Sequence, residues 1–293
     1  DLNPLTGVVK ANGYSNDSTL RLDGSYNAPL KVGETILVYD GLTRLGTVLI
    51  NSASRTWSFN TASLAEGVHV FTARVEDTAG NQSALGTSYQ VTLDMTAPVI
   101  SSAASASRAE NSGSGKVVYT AQATDGSGSV VSYSLKAVDD HQAFVVNAAT
   151  GAVTLVANPD YESKASYSFT ISATDAAGNR SEKSVSLSIT DVNEAPTAIA
   201  LLNASTALAE DTSTTSRIKI ADLSISDDAL GTETISLSGS DSGSFEVDNG
   251  ILYLKAGVAL NYETKTTYSL TVSASDSSLA GSSPVTANVS LAI

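Results

Sequence analysis

Apolar residues enter this chain in short alternating runs. Val185-Ser186-Leu187-Ser188-Ile189, Phe169-Thr170-Ile171 and Leu270-Thr271-Val272 each place an apolar side chain at every second position. That is the period of a strand with one buried face. Ser, Thr and apolar residues alternate likewise through Trp57-Ser58-Phe59 and Val70-Phe71-Thr72-Ala73-Arg74-Val75. Gly, Asn, Asp and Ser turns bound each run, and no stretch carries a helical period. The pattern predicts an all-β chain of two-sheet sandwiches.

The runs repeat. Glu76-Asp77-Thr78-Ala79-Gly80-Asn81-Gln82-Ser83 recurs, 98 residues on, as Thr174-Asp175-Ala176-Ala177-Gly178-Asn179-Arg180-Ser181. Tyr161-Glu162-Ser163-Lys164 and the strand after it recur, 101 residues on, as Tyr262-Glu263-Thr264-Lys265. Each strand-like run after the first pair ends at an Ala-Pro, Ala97-Pro98 and Ala195-Pro196. Proline biases its predecessor to extended geometry, as a short linker needs. Three domains follow, at residues 1–97, 98–195 and 196–293. About seven short strands per hundred residues is the immunoglobulin-like pattern. The expected fold is therefore three tandem Greek-key β-sandwiches set end to end.

Composition narrows the function. With 30 acidic against 16 basic residues the net charge is −14, which disfavours nucleic acid and anionic membrane as partners. A hydrophobic fraction of 42% supports real cores, and no apolar run is long enough to span a bilayer. The absence of cysteine rules out disulfides, thiolate-bound zinc and thiol catalysis. It points to a bacterial exported chain stapled by something else, such as a metal. No signal-peptide pattern opens the chain at Asp1, which reads as an internal fragment with export signals elsewhere.

Catalytic constellations are lacking. The two histidines, His69 and His141, fall in different repeats. His69 alternates within Val68-His69-Val70 and is expected on a solvent face. No nucleophile elbow, Walker loop or HExxH motif is present. Gly113-Ser114-Gly115 and Gly126-Ser127-Gly128 read as turns. Paired carboxylates can cleave glycosides, but here they recur in repeated turns, so the chain is expected not to be an enzyme. Calcium, which takes six to eight oxygens in irregular geometry, suits turn carboxylates better.

The residues also resemble known families. Ala109-Glu110-Asn111, Phe144, Thr150-Gly151-Ala152-Val153-Thr154-Leu155, Asp160-Tyr161-Glu162, Ala173-Thr174-Asp175 and Asp191-Val192-Asn193-Glu194-Ala195-Pro196 together resemble a cadherin repeat. Ala209-Glu210-Asp211, Asn261-Tyr262-Glu263 and Asp276 resemble a second, with Asn261 in place of the family's Asp. The first domain is different. Asp17 to Gly24, Val38-Tyr39-Asp40-Gly41, Thr56-Trp57-Ser58-Phe59, Gly67-Val68-His69-Val70, Asp77-Thr78-Ala79-Gly80-Asn81 and Asp94-Met95-Thr96-Ala97-Pro98 resemble the bacterial Ig-like repeats of giant RTX-type adhesins. No RTX nonapeptide occurs.

The cadherin resemblance implies calcium (Ca2+) ligands between repeats. At the second junction these are Glu110, Asp160, Glu162, Asp191, the Asn193 carbonyl, Glu194, Asp227, Asp228 and Asp276. At the first they are Asp94, Asp125 and Asp175, joined by Asp17. Any one of these acids alone is equally a solvated turn residue or an Asx cap. Glu210, Glu263 and Asp77 are expected exposed and without a cation. Tyr161 and Tyr262 are expected as core or rim aromatics.

The expected function is a calcium-rigidified extender of a large adhesin, secreted or held at a bacterial cell surface. Its partners are neighbouring repeats of the same chain, and it is monomeric without membrane insertion. The alternative is a module that itself binds a glycan or a host-cell protein. The single tryptophan, Trp57, alternates with Phe59 and is expected to face the core rather than a sugar.

Overall fold

The computed structural model describes residues 8–129 and 131–293. The chain divides into two compact units that part between Thr190 and Asp191. It is all-β, and two three-residue turns of 3-10 helix, His141–Ala143 and Ser242–Ser244, are the only helical elements among the described residues.

In the first unit, one five-stranded sheet runs in the order Gly13–Ser15, Tyr89–Leu93, Gly67–Glu76, Thr35–Asp40, Thr43–Thr47. The first pair is parallel, aligning Ser15 with Leu93. Arg21–Ser25, Thr56–Asn60 and Leu49–Asn51 form the facing sheet. Buried Ile36, Val38 and Val48 hold the core from one side, with Trp57 and Phe59 packed on them. The indole packs against Gly24, where a Cβ would come within 2.3–2.7 Å of three ring atoms. Phe71, Val91 and Leu93 form a second patch.

The same unit continues into a four-stranded sheet, Ser105–Ala109, Arg180–Thr190, Ser166–Thr174, Ser132–Leu135, facing Val117–Thr120, Ala152–Leu155, Phe144–Val146. Alternation is plain in Arg180–Thr190. Val185, Leu187 and Ile189 are buried, while Ser186 and Ser188 between them, and Ser184 before them, are exposed. The core closes on Phe144 and Phe169, whose rings sit 4.6 Å apart, with Tyr119 edge-on to Phe169. Each fully buried side chain of this size contributes roughly 1.5–3 kcal/mol.

The second unit repeats that plan. Ala198–Leu202, Ile218–Ser226, Ile251–Leu254 and Phe245–Asp248 face Glu233–Ser238, Thr267–Asp276 and Val285–Ala292. Tyr268, Leu270, Val272, Ala274 and Asp276 all point inward from one strand. Strand alternation thus carries Asp276 to the buried end of its sheet.

His69 differs from its expected solvent position. Its side chain is only 12% exposed and its ring stacks on Phe71. Neighbouring Val68 takes the outward face instead, at 60% exposure.

Candidate metal sites

Asp94 follows the strand Tyr89–Leu93, and its N–H donates to the Ser15 carbonyl at 2.9 Å, extending the parallel pairing by one residue. The side chain is buried. Its Oδ1 accepts the Thr96 N–H at 3.2 Å and its Oδ2 the Ser127 hydroxyl at 2.7 Å. Asp125 follows the strand Ala123–Thr124, and its Oδ1 accepts from the same Ser127 hydroxyl. Asp175 closes the strand Ser166–Thr174 and accepts the Asn179 N–H at 2.9 Å. One carboxylate oxygen from each of Asp94, Asp125 and Asp175 lies within 4.8 Å of the other two.

Asn179 binds this group to the connecting chain. Its Nδ2 donates to the Asp94 carbonyl at 2.7 Å, the Thr96 carbonyl at 3.3 Å and Asp175 Oδ2 at 2.9 Å. The Asp-Ala-Ala-Gly-Asn turn therefore grips the linker backbone as well as presenting its own carboxylate. Asp17 lies two residues beyond Ser15, where its Oδ1 accepts the Thr19 N–H and hydroxyl, both at 2.8 Å. It is not a member of the three-carboxylate group.

Glu110, Asp160 and Glu162 form a second group with oxygens within 4.8 Å of one another. Glu110 is buried at the end of Ser105–Ala109, and its Oε2 accepts the Tyr161 N–H at 2.7 Å. Asp160 accepts the Ser163 N–H at 2.8 Å, and both Asp160 and Glu162 are exposed.

In the second unit Asp191 and Glu194 are half-buried at its start. The Glu194 N–H donates to Asp228 Oδ2 at 2.8 Å. Asn193 Nδ2 donates to Asp276 Oδ2 at 2.6 Å and to Ser278 Oγ at 3.0 Å. The Ser278 hydroxyl and N–H, the Asn193 amide and the Thr232 N–H converge on Asp276 and hold its pKa down to about 2. Asp227 is the opposite case: burial, then the nearby Glu233 and Asp228 carboxylates, raise its pKa to about 6. Gly231, at φ +79°, sits against this group, and a Cβ there would collide with the Asp276 carboxylate, Asn193 Oδ1 and Ser278 Oγ.

These donor sets fit a hard cation. Asp125 Oδ2 and Asn193 Oδ1 are buried without a hydrogen-bond partner. Among the described residues no ion pair with Lys, Arg or His reaches Asp94, Asp125, Asp175, Asp227 or Asp276. Carboxylates this close repel by about 3 kcal/mol per pair at an effective dielectric near 20. An all-oxygen set of this kind matches calcium rather than a thiolate- or imidazole-seeking metal.

Glu210 and Glu263 are exposed. Glu210 accepts the Tyr262 N–H at 3.0 Å, repeating the bond of Glu110 to Tyr161. Tyr161 and Tyr262 are rim residues, 36% and 54% exposed. Ser127, Asn179, Glu233 and Ser278 belong to the sites but were not among the expected ligands. Asn179 had a signal, since it ends the repeated Asp-x-Ala-Gly-Asn turn.

Fold and sites define a chain of β-sandwich modules with carboxylate groups at strand ends. Residues 2–95 match a family model described as bacterial Ig-like domain, and residues 104–190 match the cadherin domain model. A further bacterial Ig-like model (group 3) overlaps residues 53–139. The chain thus combines matches to bacterial Ig-like domains and to a cadherin domain. Human protocadherin Fat 4 is 32% identical over 168 residues, 55% of this chain, and its mouse counterpart is 30% identical over 173 residues. The chain spans about 3% of the length of these relatives. Among solved structures, Protocadherin Gamma B7 extracellular cadherin domains 1-4 aligns with a TM-score of 0.56 at 18% identity, covering 97% of this chain and 74% of that one. Human Protocadherin-24 EC1-2, Form II, gives 0.53 at 22%, covering 67% and 98%. At these identities the likeness is one of fold.

Proposed function

We propose that this chain is an extracellular extender segment of a large bacterial adhesin, built of modules at 1–97, 98–195 and 196–293 and stiffened by calcium. The observation that carries this reading is the Asp94, Asp125 and Asp175 group. It draws one carboxylate from the linker and two from the turns of the following sandwich, while Asn179 binds the linker backbone to one of those turns. A calcium ion there supplies the positive charge that lets the three carboxylates stay together. The chain does the rest: Ser127 bridges Asp94 to Asp125, and Asn179 positions Asp175 against the linker.

Glu110, Asp160 and Glu162 are proposed as ligands in the first unit, and Asp227, Asp228 and Asp276 with Asp191, Asn193 and Glu194 in the second. Asp17 is proposed to join the first group on loading. The role is non-catalytic. Trp57 packs on the Ile36 and Val38 core, which takes it away from sugar stacking and favours the extender over direct glycan recognition.

Isothermal calorimetry tests the reading. Calcium should bind exothermically or endothermically at several sites in the wild-type chain, and Asp175→Ala should remove at least one of them. Wild-type protein that gives no calcium isotherm, or an Asp175→Ala isotherm identical to it, contradicts the proposal.

A further inference from the structure

His69 presents both ring nitrogens to acceptors. Nδ1 is 2.6 Å from Asp40 Oδ2, and Nε2 is 2.9 Å from the Ala65 carbonyl. Asp40 is itself fixed, its other oxygen accepting the Val70 N–H at 2.9 Å. A neutral imidazole has one N–H, so either tautomer would set a lone pair against one of these oxygens. Only the imidazolium donates to both.

The groups around the ring agree with a charged form. Asp40, from the strand Thr35–Asp40, is the titratable group that bears on it. Phe71 stacks on it from its own strand, and Val91 is its partner across Tyr89–Leu93. The segment 61–66 contributes the Ala65 carbonyl and Glu66. Burial pulls the imidazole pKa down, but the hydrogen bonds to Asp40 and Ala65 and the Asp40 charge outweigh it, leaving the pKa above the ordinary 6.5.

The segment that His69 holds leads directly to the linker. Glu66, next to Ala65, accepts the Met95 N–H at 2.7 Å and the Thr96 hydroxyl at 2.9 Å through the same oxygen. Asp94 immediately precedes them. We propose that His69 is a proton-operated latch on the linker that carries Asp94: the imidazolium pins segment 61–66, and Glu66 transmits that hold to Met95 and Thr96. The link from latch to metal rests on the calcium reading above, whereas the latch itself does not.

The sign follows from the raised pKa. The latch is closed at pH well below the folded pKa, which lies above 6.5, and opens as pH rises through it. If the carboxylate group binds calcium better with the latch closed, calcium must in turn raise the His69 pKa by the logarithm of that affinity ratio.

Side-chain NMR of the whole chain tests this. His69 should titrate above 6.5 in chelator, fall in Asp40→Asn, and rise further in calcium chloride. Hydrogen-exchange protection of the Met95 amide, the one backbone N–H that Glu66 accepts, should drop as pH passes the His69 value. That pH dependence should vanish in His69→Gln, and also in Glu66→Ala, where the His69 pKa stays raised. A His69 pKa at or below 6.5, or Met95 protection indifferent to it, overturns the latch. Bound calcium that leaves the His69 pKa unmoved overturns its link to the metal group. No calcium binding at any pH overturns the calcium reading instead, and the latch then stands or falls on the first two measurements.

Discussion

Gly24 and Gly231 show how single positions set the first-unit core and the second-unit carboxylate group. At Gly24 the missing Cβ lets Trp57 lie against the backbone of Arg21–Ser25. Gly24→Ala should therefore overpack the sheet interface and cost about 1–3 kcal/mol, read as a lower denaturant midpoint with unchanged slope. Gly231 meets two demands, a positive φ and close approach to Asp276, Asn193 and Ser278. Gly231→Ala should destabilise the chain by roughly 1–3 kcal/mol from backbone strain alone. Because the side chain enters the carboxylate group, the calcium-dependent rise in melting temperature should shrink as well. A variant whose melting temperature and calcium response both match wild type would show that Gly231 is not part of a site. The glycines are visible in the sequence, but what each makes room for is not, because Trp57 and Asp276 arrive from distant strands.

Between elements, one staple recurs at an offset of 101. Asp140 accepts the Lys164 ammonium at 2.6 Å and the Ser168 N–H at 2.9 Å. Asp241 accepts the Lys265 ammonium and the Ser269 N–H, the latter at 2.8 Å. Lys164 and Lys265 each lie 4.8 Å from the ring centre of Tyr167 or Tyr268. The staple ties each 3-10 turn to the strand opposite, and the lysine first, then the backbone donor, lowers both aspartate pKa values below 3.8. A lowered carboxyl pKa stabilises the fold above the unfolded value and loses that contribution as pH falls through the folded one. Asp140→Ala and Asp241→Ala should each cost about 1 kcal/mol at pH 7, after screening at partly exposed positions. The difference from wild type should close as pH drops below 3.8. A penalty that persists at pH 2 would assign the effect to packing rather than charge.

Much at this scale was legible in the sequence. Alternation marked the long strands, and the repeats of Asp-x-Ala-Gly-Asn and Tyr-Glu-x-Lys marked equivalent turns. The Asp140 and Asp241 staple escaped because its local sequences, Asp139-Asp140-His141 and Ser240-Asp241-Ser242, share little except their spacing to Phe144 and Phe245. His69 was misplaced because alternation assigns a face but does not show that Asp40 and Ala65 fold over that face. The acids at Asp94, Asp125 and Asp175 could be named one by one. Ser127 and Asn179, which organise them, are polar residues in turns and look like ordinary turn chemistry until the structure brings them together.

For the molecule as a whole, a net charge of −14 with carboxylates grouped at strand ends predicts a fold whose stability follows divalent cations. A site held at about a hundred times its dissociation constant adds roughly 2.7 kcal/mol. Calcium should therefore raise the melting temperature, and magnesium should do so less, since it demands near-ideal octahedral geometry and sheds water reluctantly. Equal effects of the two ions would point to charge screening rather than built sites. The most direct test of the central claim is diffraction from crystals grown in calcium, using calcium's anomalous signal. The account predicts an anomalous peak about 2.3–2.6 Å from carboxylate oxygens of Asp94, Asp125 and Asp175. Well-ordered carboxylates there with no peak, at saturating calcium, would contradict it.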